Sequence, residues 1–98
     1  MFEIEGRIYE LRYDMKTVEQ LENTVGMSIV DMIQSVPTLT RLKMMIGMAL
    51  WNEHGNKVSS KTGSEMAEKF IQERGLLECF RECVNKISED CAFLFRNA

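Results

Sequence analysis

Along residues 2–14 apolar and charged side chains alternate, Phe2 and Ile4 with Glu3 and Glu5, then Tyr9, Leu11 and Tyr13 with Glu10, Arg12 and Asp14. A period of two places one set on one face of a strand, and the pattern predicts a β-hairpin over 2–13. A two-residue loop at Glu5-Gly6 would set Phe2 across from Tyr9 and Ile4 across from Arg7, which keeps the apolar set together. Ile8 breaks the alternation and is expected on the outer face, covering something there. Two strands alone are marginal, so the hairpin must lie on helices.

Beyond the hairpin the apolar spacing becomes helical. Val18, Leu21 and Val25 predict a helix over 17–25, with Gly26 placed to end it. Ser28 with Asp31 resembles a capping box that opens a short helix with Ile29, Ile33 and Val36 inward. Pro37 breaks the chain, and Thr38 or Thr40 can cap a third helix running to about residue 53. The polar stretch 54–63 holds Gly55 and Gly63, shows no periodicity and is expected to be a flexible loop. Ser64 then caps a fourth helix with Met66, Phe70 and Ile71 inward, and Gly75 interrupts it. A last helix over 76–95 carries its inward stripe on Leu76, Phe80, Cys83, Val84, Ile87, Cys91 and Leu94. The expected fold is α+β and mainly helical, an N-terminal hairpin packed on a bundle of about five short helices over 15–96. At 98 residues the chain has room for one core, hence a single domain.

The third helix is too apolar for a single buried stripe. Residues 44–51 are all nonpolar, and a core-facing stripe needs only Leu39, Leu42, Ile46, Ala49 and Leu50. Met44, Met45, Met48 and Trp51 fall beyond it. Either the helix is buried on all sides, or these side chains line a surface for another chain. Methionine adapts to varied partners, tryptophan is frequent at interface hot spots, and the chain holds eight methionines. Phe93 and Phe95 fall partly off the last helix's stripe, near an end expected to fray. The expected protein-binding residues are therefore Met44, Met45, Met48, Trp51, Phe93 and Phe95.

Charge and chemistry narrow the function. Net charge is −3, with 12 basic and 15 acidic side chains dispersed among one another. Such a surface offers no basic cluster for a phosphate backbone and no basic stripe for an anionic membrane. A helix-turn-helix drawn over 28–53 fails as well, since its recognition helix would present methionines where base-reading side chains are needed. Three cysteines on one helix close no loops, which suits a reducing cytosol. The acidic opening is unlike a signal peptide, and the run 44–51 is far short of a bilayer span. The chain is expected to be soluble and intracellular. A zinc site from Cys79, Cys83, Cys91 and His54 is disfavoured, because Cys91 lies three helical turns from Cys79. His54 has no evident nucleophile beside it, and Gly55 and Gly63 flank no phosphate-loop motif. No catalytic, metal or cofactor site is expected, and the chain is read as a binding protein.

The opening also carries a resemblance. Gly6, Arg7, Tyr9 and Leu11 in the hairpin, followed by the Leu21-Glu22 pair in a short helix, resemble the start of tail assembly chaperones of long-tailed phages and prophages of Gram-positive bacteria. A short second helix and an apolar third one also fit, while the second half agrees only in size and helicity. The resemblance implies a protein of the bacterial host cytoplasm that coats the tape-measure protein and keeps it soluble. It further implies help for the tail-tube protein to polymerise, self-association, absence from the finished virion, and in many members a longer frameshifted form. The competing expectation is a small non-catalytic adaptor or inhibitor that binds one globular partner.

Overall fold

In the hairpin, β1 (Phe2–Ile4) and β2 (Arg7–Leu11) pair antiparallel with Phe2 opposite Tyr9 and Ile4 opposite Arg7, the expected register. Glu5 and Gly6 both take positive φ, 51° and 76°, the pair of left-handed residues that a tight turn between twisted strands requires. The computed structural model describes residues 2–95, so residue 96, the expected end of the bundle, lies outside the described residues.

A third strand, β3 (Leu50–Asn52), adds to the other side of β2, with Leu11 opposite Leu50 and Glu10 opposite Trp51. This corrects the expected third helix. The observed helix, α3 (Leu39–Gly47), ends well before residue 53, and the rest of the apolar run turns back onto the sheet. A continuous apolar run has no period that separates helix from buried strand, so its partner decides. Here β2 offers its free edge, and the pairing runs on one residue past each strand, where the Arg12 N–H donates to Ala49 O at 2.8 Å. The far edge of β3 is covered in turn, with the Val58 N–H on Leu50 O and the Asn52 N–H on Asn56 O.

The other helices are α1 (Met15–Val25), α2 (Ile29–Gln34), α4 (Ser60–Arg74) and α5 (Leu76–Asp90), with a 3-10 turn at Ala92–Phe95. Side-chain caps set most of their starts. Asp14 accepts the Thr17 N–H, Ser28 accepts the Asp31 N–H, Thr38 accepts the Arg41 N–H and Ser59 accepts the Thr62 N–H. The Ser59 cap brings α4 forward to Ser60, so the expected cap at Ser64 and the loop over 54–63 are both corrected: the last four residues of that polar stretch are helix. At the end of α2 the chain becomes extended at Ser35, which leaves Val36 outside the helix and 64% exposed rather than inward. Helix α5 stops at Asp90, short of the expected 95. The Asp90 carboxylate accepts the Tyr13 N–H at 3.0 Å, and Cys91 leaves helical geometry to donate its Sγ–H to Tyr13 O.

The core lies between the sheet's inner face and the helices. Phe2 stacks on Phe70 at 4.5 Å between centroids, and Tyr9 meets Phe70 edge-on at 5.8 Å. Tyr13 is fully buried and donates its hydroxyl to the Met45 carbonyl at 2.7 Å. On α5 the buried positions are Cys79, Cys83 and Ile87, with Cys91 just beyond, so the inward stripe is rotated from the expected one. Phe80 and Val84 are only half-buried, and Leu94 is exposed. On α3, Leu39 is exposed and Met45 takes the core position in its place.

Helices α3 and α4 meet at two glycines. A Cβ on Gly63 would overlap the Gly47 carbonyl oxygen, and one on Gly47 would lie 3.0 Å from the Gly63 carbonyl carbon. Both obstacles are backbone and cannot swing aside. Gly63→Ala gains up to about 1 kcal/mol in helix propensity. Forcing the two helices apart costs about 1–3 kcal/mol, as overpacking generally does. The expected outcome is a net loss of stability, read as a lower urea midpoint. A raised midpoint would show that the helices do not approach this closely.

Candidate protein-binding site

The same glycine contact leaves a groove beside it. Without side chains at the crossing, the space between the C-terminal part of α1, helix α3 and the first turns of α4 is filled only from its edges. The groove holds about 370 Å³ and is lined by Thr24, Thr40, Lys43, Met44, Gly47, Met48, Ser60 and Ser64. Past Met44 it continues into a recess of about 270 Å³ lined by Val25, Met27, Thr38 and Arg41. Met44 and Met48, the C-cap residue of α3 that keeps helical backbone geometry, are one turn apart and therefore share a face. Both are half-buried, packed on the core on one side and open to the groove on the other.

Two cations mark the groove. Arg41 extends back from the first turn of α3, with Nη1 3.3 Å from the Met27 sulfur and Nη2 donating to the Ser35 carbonyl and hydroxyl. Its Nε–H is buried and meets no acceptor among the described residues. Lys43 stands at the rim and reaches Glu68 at 3.8 Å, a partly exposed pair of little energetic weight. No carboxylate lines either stretch of the groove among the described residues.

The six residues expected to bind another chain are thus separated. Met44 and Met48 line the groove. Met45 is fully buried and belongs to the core, a correction that follows from the rotation of α3 needed to bring Leu42, Met45 and Ile46 inward together. Trp51 sits on β3 opposite Glu10, on the sheet's outer face, with the Arg12 guanidinium 4.5 Å above its ring. Phe93 is 43% exposed in the final turn, and the Phe95 side chain lies outside the described residues. Sequence reasoning missed Met27, Arg41 and the serines of α4. Only the placement of α4 against α3 brings those serines to the methionines.

A wider groove of about 750 Å³ crosses the outer sheet face, and its lining includes Ile8, Glu10, His54, Glu82 and Lys86. Ile8 is 40% exposed there, as its break in the alternation implied. Most of its lining residues are charged or polar, and Lys86 lies within reach of Glu10, Glu89 and Asp90, at 3.8, 3.8 and 3.3 Å.

The cysteines are packed as small core residues. Cys79 donates to the Phe70 carbonyl at 3.5 Å, and burial pushes the Cys83 thiol up to about 12. Burial raises the other two thiols as well. Since the thiolate is the reactive form, all three should resist Ellman's reagent in the native protein and react together once urea unfolds it. A fast native reaction at any one of them would contradict this packing. Among the described residues no cluster of His, Cys, Asp and Glu is placed to hold a metal, and no helix is long and apolar enough to cross a membrane.

The positions that carry the resemblance at the N-terminus serve the frame. Gly6 makes the turn, Tyr9, Leu11 and Leu21 are buried, and the Glu22 carboxylate accepts the Ile29 N–H at 2.8 Å, joining α1 to α2. In comparisons with protein-family models, curated proteins and solved structures, no significant match to the chain is found.

Proposed function

We propose that this chain is a phage tail assembly chaperone, which binds the tape-measure protein through the Met44–Met48 groove, keeps it soluble and self-associates along it as the tail tube forms. The observation that carries the reading is the groove: an adaptable methionine floor with hydroxyl-bearing edges on an otherwise charged surface. The N-terminal hairpin and the short helices after it support the same reading, because they fit the pattern of such chaperones. The protein acts in the host cytoplasm and is not retained in the virion.

Magnitudes favour many weak contacts. A leucine-sized side chain buried in such a groove contributes about 1.5–3 kcal/mol. A millimolar complex already needs about 4 kcal/mol. One anchoring side chain therefore holds a client only weakly, so several contacts along a segment, and neighbouring copies along one extended chain, must act together. The same weakness lets tube subunits displace each copy in turn.

The test is co-expression with the large coiled-coil protein encoded immediately downstream. Recovery of a soluble complex, with that protein insoluble alone, supports the assignment. If the large protein is indifferent, the small adaptor or inhibitor reading replaces it. Light scattering over a concentration series adds a second readout: open-ended growth in mass fits the chaperone, and a fixed monomer or dimer fits the adaptor.

A further inference from the structure

Resting on that reading, we infer that the segment seated in the Met44–Met48 groove is an acidic amphipathic helix, with an apolar side chain on the methionines and carboxylates toward Lys43 and Arg41. Charge complementarity carries the argument. The whole chain is acidic, at −3, yet the ionisable side chains along this groove and its recess are the cations Lys43 and Arg41, with no carboxylate among the described lining residues. An apolar floor with cations at one side matches a helix whose apolar and acidic faces adjoin.

The Arg41 geometry adds an independent reason. Its two Nη atoms are held by Ser35 and Met27, which fixes the guanidinium and leaves a buried Nε–H without an acceptor among the described residues. A guanidinium held in this way keeps its positive charge fixed beside the recess, so an incoming carboxylate pairs with it at little cost in side-chain ordering. Lys43 is free to turn from Glu68, whose side chain is 59% exposed, because such a pair holds weakly. A basic client would meet these cations as like charges and be rejected.

The experiment uses two labelled helical peptides of about 18 residues, five turns, with the same leucine spacing. One carries glutamate at its polar positions and the other lysine. Fluorescence anisotropy against the full chain should show the glutamate peptide binding and the lysine peptide at least about ten-fold weaker, a difference of 1.4 kcal/mol. The gap should narrow with added salt. Ser64→Phe, which fills the groove from an exposed position, should abolish binding, and Lys43→Glu should reduce the preference for the acidic peptide. Circular dichroism on both variants checks that they fold. Equal binding of the two peptides, or binding unaffected by Ser64→Phe, overturns the inference. Absence of binding by either peptide overturns it too. The pull-down with the downstream protein, run alongside, then separates the cases: a recovered complex leaves the chaperone reading standing with its contact elsewhere, and a lost one removes both.

Discussion

Met45→Glu should abolish the cooperative fold, while Met48→Glu, less than one helical turn away, should leave it intact. Met45 is fully buried, and its carbonyl holds the equally buried Tyr13 hydroxyl at 2.7 Å. A carboxylate at position 45 has no cation to meet among the core residues around it. Burying that carboxyl costs several kcal/mol, even when it neutralises itself by taking up a proton. A domain of this size has about 5–15 kcal/mol in total, so that one change removes much of its stability. Met48 has its open side in the groove, where a carboxylate stays hydrated and costs less than about 1 kcal/mol, as surface changes usually do. Circular dichroism with urea titration reads the difference. The same pair separates core from interface: Met48→Glu should keep its helical signal and still lose client recovery in the pull-down. Two variants equally well folded would show that Met45 is not where the structure places it.

Phe70→Ala should be the most damaging truncation in the core, at about 3–5 kcal/mol. The ring stacks on Phe2 and meets Tyr9 edge-on, so a single side chain of α4 holds both strands of the hairpin. Its removal leaves a cavity that neither strand can fill, because their positions are fixed by backbone pairing to each other and to β3. The loss has a local signature as well. Amide protection should fall first in β1 and β2, which are marginal once detached, and last where α3 packs against α4. A measured loss below about 1 kcal/mol would mean that the sheet is held elsewhere.

Which parts of this were legible in the sequence follows from the range of the interactions involved. The hairpin register was legible because alternation and a two-residue turn are local, and Glu5 and Gly6 adopt the conformations that such a turn demands. So were the cap at Ser28 and the stop at Gly26, each settled by groups within a few residues, whereas the choice of Thr38 over Thr40 as the cap of α3 came from the structure. The start of α4 was misplaced because two serines, Ser59 and Ser64, both suit a cap, and Gly63 between them read as loop. What requires a glycine at 63 within the helix is Gly47, a residue distant in sequence whose backbone leaves no room for a side chain.

The candidate site shows the same division. That the region around Met44 holds more apolar surface than one stripe requires was plain from composition. How the surplus is shared was not. An unbroken apolar run carries no period, so nothing within it told helix from strand, or Met45 in the core from Met48 in the groove. The sequence by itself determined the mainly helical α+β class, the hairpin with its register and an excess of methionine on α3. Only the tertiary structure decided that Leu50–Asn52 becomes a strand, that α3 and α5 turn the faces they do, and that Arg41 and the serines of α4 join Met44 and Met48 around one groove. The physical reason is that a strand needs a partner's backbone and a groove needs two surfaces, and neither is a property of any one segment of chain.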